Sequence, residues 1–301
     1  MNGEVIISSH QYLDSIAENI GASLNKSIQF KHIESLGGGC INQVSKITDD
    51  KGNRWLLKEN SPPLLDMFIA EAQGLEEIKQ SKSIRVPDVI CYGETSNKSY
   101  LVLEYITLSE ASGNHKTAEK LALMHQCQSP TFGWYRDNTI GTTPQNNQPT
   151  DSWISFWQEQ RLLAQLNLAL TNAYPKKAYD DGIKLVEKIA LFFDTYQPIP
   201  SLLHGDLWGG NHAFDSNNQA VIFDPAVYYG DRETDIAMTE LFGGFDASFY
   251  ARYNECFQLD EGYAVRKTLY NLYHTLNHYN LFGGGYASQA ANMTRRLLAE
   301  L

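Results

Sequence analysis

Cysteine is scarce in this 301-residue chain: Cys40, Cys91, Cys127 and Cys256 are the four, and no two stand in Cys-x-x-Cys spacing. That pattern offers no zinc site, and a reducing cytoplasm is the simplest compartment for it. Long apolar runs are missing too. No stretch approaches the roughly 20 apolar residues needed to span a bilayer. The start, Met-Asn-Gly-Glu-Val-Ile-Ile-Ser-Ser-His, lacks the basic region and apolar core of a signal peptide. Positive charge is in deficit: 24 Lys and Arg against 35 Asp and Glu give a formal net charge of −11. This argues against general affinity for nucleic acid or an anionic membrane. There is no internal repeat and no low-complexity tract. What remains, 43% apolar and 20% charged residues, is ordinary for a soluble globular chain with core enough for one large domain or two lobes.

The densest chemistry lies in residues 202–235. The segment reads Leu-Leu-His-Gly-Asp-Leu-Trp-Gly-Gly-Asn-His-Ala-Phe, followed after a turn by Ile-Phe-Asp-Pro-Ala-Val-Tyr-Tyr-Gly-Asp-Arg-Glu-Thr-Asp. Asp206 is followed five residues on by Asn211, and Asp224 ends the apolar run 220–223. Phosphoryl transfer to an alcohol needs this inventory: one carboxylate to take or orient the hydroxyl proton, and hard oxygen ligands for magnesium. The Asp-x-x-x-x-Asn spacing matches the catalytic loop of protein kinases, and Asp224 takes the metal-binding position in a Asp-Pro-Ala rather than a Asp-Phe-Gly context. Asp215-Ser216-Asn217-Asn218 is turn chemistry between two short apolar runs, so a hairpin is predicted that returns Asp224 beside Asn211. Taken singly, His-Gly-Asp and Phe-Asp-Pro are also ordinary turn sequences. Asp231 is a candidate helix cap, and Asp235 a candidate brace for the catalytic loop, with His204 as further structural support.

Upstream, residues 8–24 read as a helix capped by Ser8 or Ser9 and ended at Gly21. Residues 29–58 read as antiparallel strands, with the triplet Gly37, Gly38 and Gly39 between the first two. Such a triplet lets backbone amides approach phosphates, but glycine-rich hairpin tips are common and it is not a dinucleotide fingerprint. Lys58 ends an apolar strand, and Glu71 lies on the helix that follows. A strand lysine paired with a helix glutamate is the kinase device for holding the α- and β-phosphates. Alone, Lys58 is equally a snorkelling strand-end lysine. Glu76 and Glu77 read as solvated helix charges. The run 100–106 is a buried strand by composition. Helices are predicted over 118–125, from Asp151 onward, over 182–195, from Asp231, and over 269–280. Residues 130–151 read as a long polar loop, of the kind that is often functional. Gly283-Gly284-Gly285 is a turn, not a second phosphate loop.

The strings His-Gly-Asp-Leu-Trp-Gly-Gly-Asn, Phe-Asp-Pro-Ala-Val-Tyr-Tyr-Gly-Asp-Arg-Glu-Thr-Asp and Leu-Phe-Gly-Gly-Phe resemble the fructosamine kinase (ketosamine-3-kinase) family, within the protein-kinase-like and aminoglycoside-phosphotransferase-like group. The resemblance is strongest over 202–245, and extends to 36–75 and 131–162. It implies an α+β, two-lobed protein-kinase-like fold: a small lobe with an antiparallel sheet over 1–106, and a larger, mostly helical lobe over 107–301. It implies ATP and Mg2+ in the cleft. Asp206 would be the base, and Asn211 and Asp224 the metal ligands. Lys58 and Glu71 would hold phosphates, the glycine triplet would cover the nucleotide, and backbone groups of Glu104, Tyr105 and Ile106 would meet adenine.

The implied acceptor is a ketoamine, fructosamine or ribulosamine, free or on a glycated protein, phosphorylated at the sugar 3-hydroxyl. Trp208 and Tyr228 are candidates to stack on the sugar. The acidic group Asp206, Asp231, Glu233 and Asp235 is a candidate to attract the substrate's cationic amine. The stretch 131–162 is expected on the substrate side. Cys40, beside the glycine triplet, is a candidate redox thiol. A monomer or homodimer is expected, with no nucleic acid or membrane partner. Two other classes fit the residues: a kinase for another alcohol such as choline, homoserine or an aminoglycoside, and a non-catalytic nucleotide-binding scaffold.

Overall fold

Alternation along the strands decides how the first third of the chain is layered. The computed structural model describes residues 4–6, 11–37, 41–109 and 113–301. Gly38, Gly39 and Cys40, and the candidate helix caps Ser8 or Ser9, lie outside the described residues. Six strands, β1 (Glu4–Ile6), β2 (Phe30–Leu36), β3 (Gln43–Asp49), β4 (Arg54–Asn60), β5 (Val89–Glu94) and β6 (Ser99–Glu104), form one antiparallel sheet in the order β1-β2-β3-β4-β6-β5. Successive side chains of a strand point to opposite faces. Trp55 and Leu57 of β4 and Tyr100 and Val102 of β6 therefore build one core with Leu13, Ile16 and Ile20 of α1 (Gln11–Leu24). Leu101 and Leu103 of β6 leave on the other face and pack with Phe68, Leu75 and Ile78 of α2 (Leu65–Gln80). Burying Phe68 alone contributes about 2–3 kcal/mol. Lys58 shares its parity with Leu56 and is delivered to the α2 side, where Glu71 waits.

Helix α1 runs past Gly21. Asn25 takes the left-handed φ of 52° just beyond the helix, and the Lys26 amide donates to the Gly21 carbonyl at 2.9 Å. Asparagine tolerates that φ because its short polar side chain bonds locally, so the stop is set by Asn25 and not by the glycine.

After Ile106 the chain is mainly helical. In order follow β7 (Leu108–Ser109), α3 (Asn114–His125), β8 (Asn138–Ile140), β9 (Thr143–Gln145) and α4 (Trp153–Ser155). Helix α4 continues through a π-helical stretch, Phe156–Leu163, into α5 (Ala164–Thr171). Then come α6 (Lys176–Lys188), β10 (Ser201–Leu203), β11 (His212–Asp215), β12 (Ala220–Ile222), β13 (Tyr228–Gly230), α7 (Glu233–Leu241), α8 (Ala247–Cys256), α9 (Tyr263–Phe282) and α10 (Tyr286–Ala299). The hairpin expected at 215–218 is present as β11–β12. Asp215 Oδ1 accepts the amides of Asn217 and Gln219, both at 2.9 Å, and Asn218 supplies φ 57°. The polar stretch 130–151 holds a second hairpin, β8–β9, pairing Asn138 with Gln145. Apolar alternation does not mark it, because of its inward residues only Ile140 is apolar, and Asn138 and Gln145 are amides that bond each other. Among the described residues no helix is long and apolar enough to cross a membrane.

Candidate active site

The loop after β10 is held from beneath by one buried carboxylate. Asp235, in the first turn of α7, accepts the amide of His204 at 2.7 Å and that of Gly205 at 2.9 Å, and contacts His125 Nε2 at 3.1 Å. Burial pushes Asp235 up. The His125 hydrogen bond and charge and the His204 backbone amide outweigh burial and hold it below the usual carboxylate range. Gly205 has φ 82°, and a Cβ there would lie 2.1 Å from the Ala226 carbonyl oxygen, so only glycine fits. His204 Nδ1 accepts the Asp206 amide at 3.2 Å, and its Nε2 donates to the Phe223 carbonyl at 3.0 Å. Burial lowers the His204 pKa, so the ring stays neutral and its tautomer is fixed by those two bonds.

Asp206 emerges from this support with its carboxyl pushed up to about 7, first by burial and then by the negative charges of Asp224 and Asp235. Asn211, on the turn Gly209–Asn211, opposes the shift. Its Nδ2 donates to the Asp206 carbonyl oxygen at 2.9 Å and lies 3.4 Å from Asp206 Oδ2. A carboxyl poised near neutrality is suited to exchanging a proton with an alcohol.

Lys58 sits opposite. Its ammonium donates to Glu71 Oε1 at 2.5 Å and pairs with Asp224 across 166 positions of chain. Burial draws the ammonium pKa down, but the charges of Asp224 and Glu71 win and raise it above the ordinary lysine range. Glu71 is pushed up by burial, against the pull of Lys58. Asp224 holds φ 59°, a conformation rare outside glycine and one that concentrates at functional sites. Its side chain is about half exposed (48%), in contrast to the 4% of Lys58. Lys58, Glu71, Asp224, Asn211 and Asp206 are thus brought together from β4, α2, the end of the β11–β12 hairpin and the loop after β10.

The other candidates are placed differently. Gly37 is exposed and extends from β2. The Glu104 amide donates to the Asp88 carbonyl at 2.8 Å, and its carboxylate takes Arg85 at 2.6 Å. Tyr105 lies under Arg54, 5.2 Å from its ring centroid, and Ile106 is half-buried. Trp208 is 40% exposed, with its ring edge-on to Phe242.

Three expectations are corrected. Tyr228 has no face free for a sugar, because Phe156 stacks at 5.7 Å and the Arg161 guanidinium sits 4.2 Å from its centroid. Asp231 is fully buried, accepts Tyr196 and Tyr270 hydroxyls and caps α7 through the Glu233 amide at 3.0 Å. Glu233 is locked bidentate to Arg266 at 2.8 and 3.0 Å. With Asp235 also consumed by the loop, the acidic group shrinks to Asp206 as a lure for a cationic amine. Glu77 is not simply solvated either, since it accepts the Tyr229 hydroxyl at 2.7 Å. Sequence reading passed over Arg85, Arg161, Asn138, Gln145 and Asn147. For Arg161 a signal existed, a lone basic residue among Phe156, Trp157 and Leu162. The amides in a polar stretch gave none.

A sequence profile described as fructosamine kinase matches residues 12–300. The chain belongs to the fructosamine kinase family. It is 45% identical over 289 residues to a probable ketoamine kinase of Synechocystis, an alignment covering 94% of this chain and 96% of that protein. To the chloroplastic protein-ribulosamine 3-kinase of Arabidopsis thaliana it is 43% identical, over 89% of this chain and 83% of the relative. Among solved structures, a putative fructosamine-3-kinase from Haemophilus somnus superposes with a TM-score of 0.87 at 32% identity, covering 94% of this chain and 96% of the other. More distant phosphotransferases share the fold alone. The architecture is therefore the α+β, two-lobed protein-kinase-like one, with the sheet in the small lobe. As a member of the fructosamine kinase family the chain is an ATP-using phosphotransferase with a hydroxyl group as acceptor.

Proposed function

We propose that this kinase phosphorylates the sugar 3-hydroxyl of ketoamines, fructosamines or ribulosamines, free or on glycated proteins. The names of the relatives support that substrate class. The observation that carries the chemistry is the Lys58 ammonium held between Glu71 and Asp224, with Asp206 poised near neutrality in reach of Asp224's field.

Each group then has a role set by its surroundings. An ammonium has three donors, and Glu71 and Asp224 take two, leaving one N–H for an α- or β-phosphate oxygen. Gly37 and its glycine neighbours would cover the phosphates, and the backbone at Glu104–Ile106 would meet the adenine, so residues 1–106 present the nucleotide and 107–301 the catalytic loop. Asp206 takes the proton of the acceptor hydroxyl as its oxygen bonds the γ-phosphorus and the bond to the β,γ-bridging oxygen breaks, releasing ADP. Asp235 and His204 keep the loop in register through the backbone bonds described above. Trp208 offers an exposed ring to the sugar.

The donor set fits magnesium. That ion takes hard oxygens and usually only one or two protein ligands beside phosphate and water. Asp224 offers a half-exposed carboxylate, and the Asn211 amide is turned by its Nδ2 bond to Asp206 so that the oxygen is left to ligate. When bound there, magnesium neutralises phosphate charge. Phosphate at carbon 3 is a leaving group β to the nitrogen-bearing carbon; proton loss at carbon 1 and departure of phosphate leave an imine that water hydrolyses to free the amine, which makes the reaction a repair of glycation. The free thiols Cys91, Cys127 and Cys256 suit a reducing cytoplasm.

Phosphorus NMR with ATP, magnesium and ribulosyl- or fructosyl-lysine tests this reading. A sugar phosphate that disappears in Asp206→Asn is expected. ATP turnover on other alcohols only would move the substrate, and ATP binding without turnover on any acceptor would overturn the assignment.

A further inference from the structure

The stretch 133–147 has no part in the chemistry above, yet it is tied to both sides of Lys58. On one side, Arg136 donates to Gln73 Oε1 at 2.6 Å and to Asp66 Oδ1 at 2.7 Å. Both acceptors lie on α2, the helix that carries Glu71. On the other side, Asn138 Nδ2 donates to the Val227 carbonyl at 2.8 Å and Gln145 Nε2 to the Ala226 carbonyl at 3.2 Å. These carbonyls follow directly after Asp224 and Pro225.

The middle is locked upon itself. Gln145 Nε2 and Asn147 Nδ2 both donate to Asn138 Oδ1 at 2.8 Å. Arg161, with no accessible surface and no carboxylate partner among the described residues, donates to the Asn146 carbonyl at 2.6 Å and to Asn147 Oδ1 at 2.7 Å. The Tyr273 hydroxyl donates to Gln145 Oε1 at 2.7 Å. Gly133 and Tyr229 exchange two backbone bonds of 2.8 Å, and the Tyr229 hydroxyl returns to Glu77 of α2. Where α2 meets the Asp224 segment directly, it does so at Gly74, where a Cβ would stand 3.1 Å from Val227 Cγ2.

We infer that residues 133–147 form a strap that fixes α2 to the segment 224–227 and so holds Glu71 and Asp224 together on Lys58. Arg136, Asn138 and Gln145 are accordingly positioning residues for the nucleotide side of the site. The inference rests on reading Lys58, Glu71 and Asp224 as nucleotide-side groups. The physical reason for a strap is the cost of what it holds. Two carboxylates converge on one buried ammonium and repel each other, and Asp224 keeps a left-handed backbone conformation that side-chain-bearing residues rarely adopt. Such an arrangement persists only where its neighbours over-determine it. The buried amides supply that by fixing the two carbonyls that follow Asp224, and the Arg136 fork does so for α2. A stretch serving the acceptor would instead change acceptor affinity when cut.

Arg136→Ala and Gln73→Ala, singly and together, test this in the whole protein. Nucleotide affinity is read by calorimetric titration of ATP with magnesium, and acceptor KM with ribulosyl-lysine. Exposure of Lys58 is read without nucleotide, as its labelling by an amine-directed acylating reagent followed by peptide mass spectrometry. We expect nucleotide binding to weaken about 5- to 20-fold and Lys58 labelling to rise about threefold or more, most in Arg136→Ala because it also loses the Asp66 bond, with acceptor KM within about twofold and the double variant no worse than Arg136→Ala. Wild-type nucleotide affinity and Lys58 labelling in both single variants would overturn the strap, whether acceptor KM moves or only thermal stability falls. Lys58→Ala separates the two readings. If it loses nucleotide affinity while the strap variants keep theirs, the strap alone fails. If it binds and turns over ATP as wild type does, the nucleotide-side reading itself fails.

Discussion

Asp206, as the proposed base, should set the pH dependence of turnover, because its carboxyl is raised from the ordinary 3.8 to about 7. For turnover, the base must be ionised, so kcat/KM is expected to rise with pH and level off above an acid limb near 7. Raising free magnesium should move that limb downward, since a cation at Asp224 removes one of the charges that push Asp206 up; a pH–rate series at two magnesium concentrations checks it. For stability the sign is the reverse. A group whose folded pKa lies above its unfolded value contributes stability that is present below about pH 4 and lost as pH rises through about 7. Asp206→Asn should therefore be more stable than the wild type at pH 8, by about 1–3 kcal/mol because the carboxyl keeps some solvent contact, while kcat falls about 10²- to 10⁴-fold. Thermal melts at pH 5 and pH 8 beside turnover assays test both halves. At this scale the sequence was informative where chemistry and spacing coincide: Asp206, Asn211, Asp224, Lys58 and Glu71 do converge. It was misleading where burial decides, since Asp231, Glu233 and Tyr228 look like site residues in a string but are enclosed by Tyr196, Tyr270, Arg266, Phe156 and Arg161.

Elements built on apolar alternation were legible, and elements built on buried amides were not. The strands carrying Lys58 and the 215–218 hairpin follow from period-two patterning and turn chemistry. The β8–β9 hairpin has turn chemistry at Gly141 (φ 63°) but no apolar alternation, because Asn138, Gln145 and Asn147 are interior residues whose partners are one another, Arg161 and backbone carbonyls. A network of this kind is costly when half broken. Arg161→Met keeps the length and the contacts with Phe156 and Tyr228 but leaves the Asn146 carbonyl and Asn147 Oδ1 without their donor. It should cost about 2–4 kcal/mol in chemical denaturation. At Gly74, where α2 touches Val227, substitution by valine overpacks the contact and should cost about 1–3 kcal/mol by the same measurement. Both variants leave Asp206 and its supporting loop untouched in sequence, so the loss would belong to the packing between α2, the hairpin and the Asp224 segment.

For the molecule as a whole, the proposed function puts the nucleotide where sheet and helical part meet, which would couple its binding to the stability of both. ATP with magnesium at about 100 times its Kd should add about 2.7 kcal/mol to unfolding, seen as a rise in Tm of several degrees that Lys58→Ala abolishes. Arg85 ties the two parts at the end of β6 by pairing with Glu104 at 2.6 Å and with Asp215 of the β11–β12 hairpin. None of that long-range cross-linking can be read from local pattern, because Arg85 and Asp215 are 130 residues apart. The central claim is chemical, and one measurement addresses it most directly: phosphorus NMR of the protein with ATP, magnesium and ribulosyl- or fructosyl-lysine, run beside Asp206→Asn. The account predicts a new sugar 3-phosphate resonance in the wild type and its loss in the variant, with ATP still bound. A sugar phosphate formed equally well by Asp206→Asn, or ATP bound without turnover on either ketoamine, would contradict it.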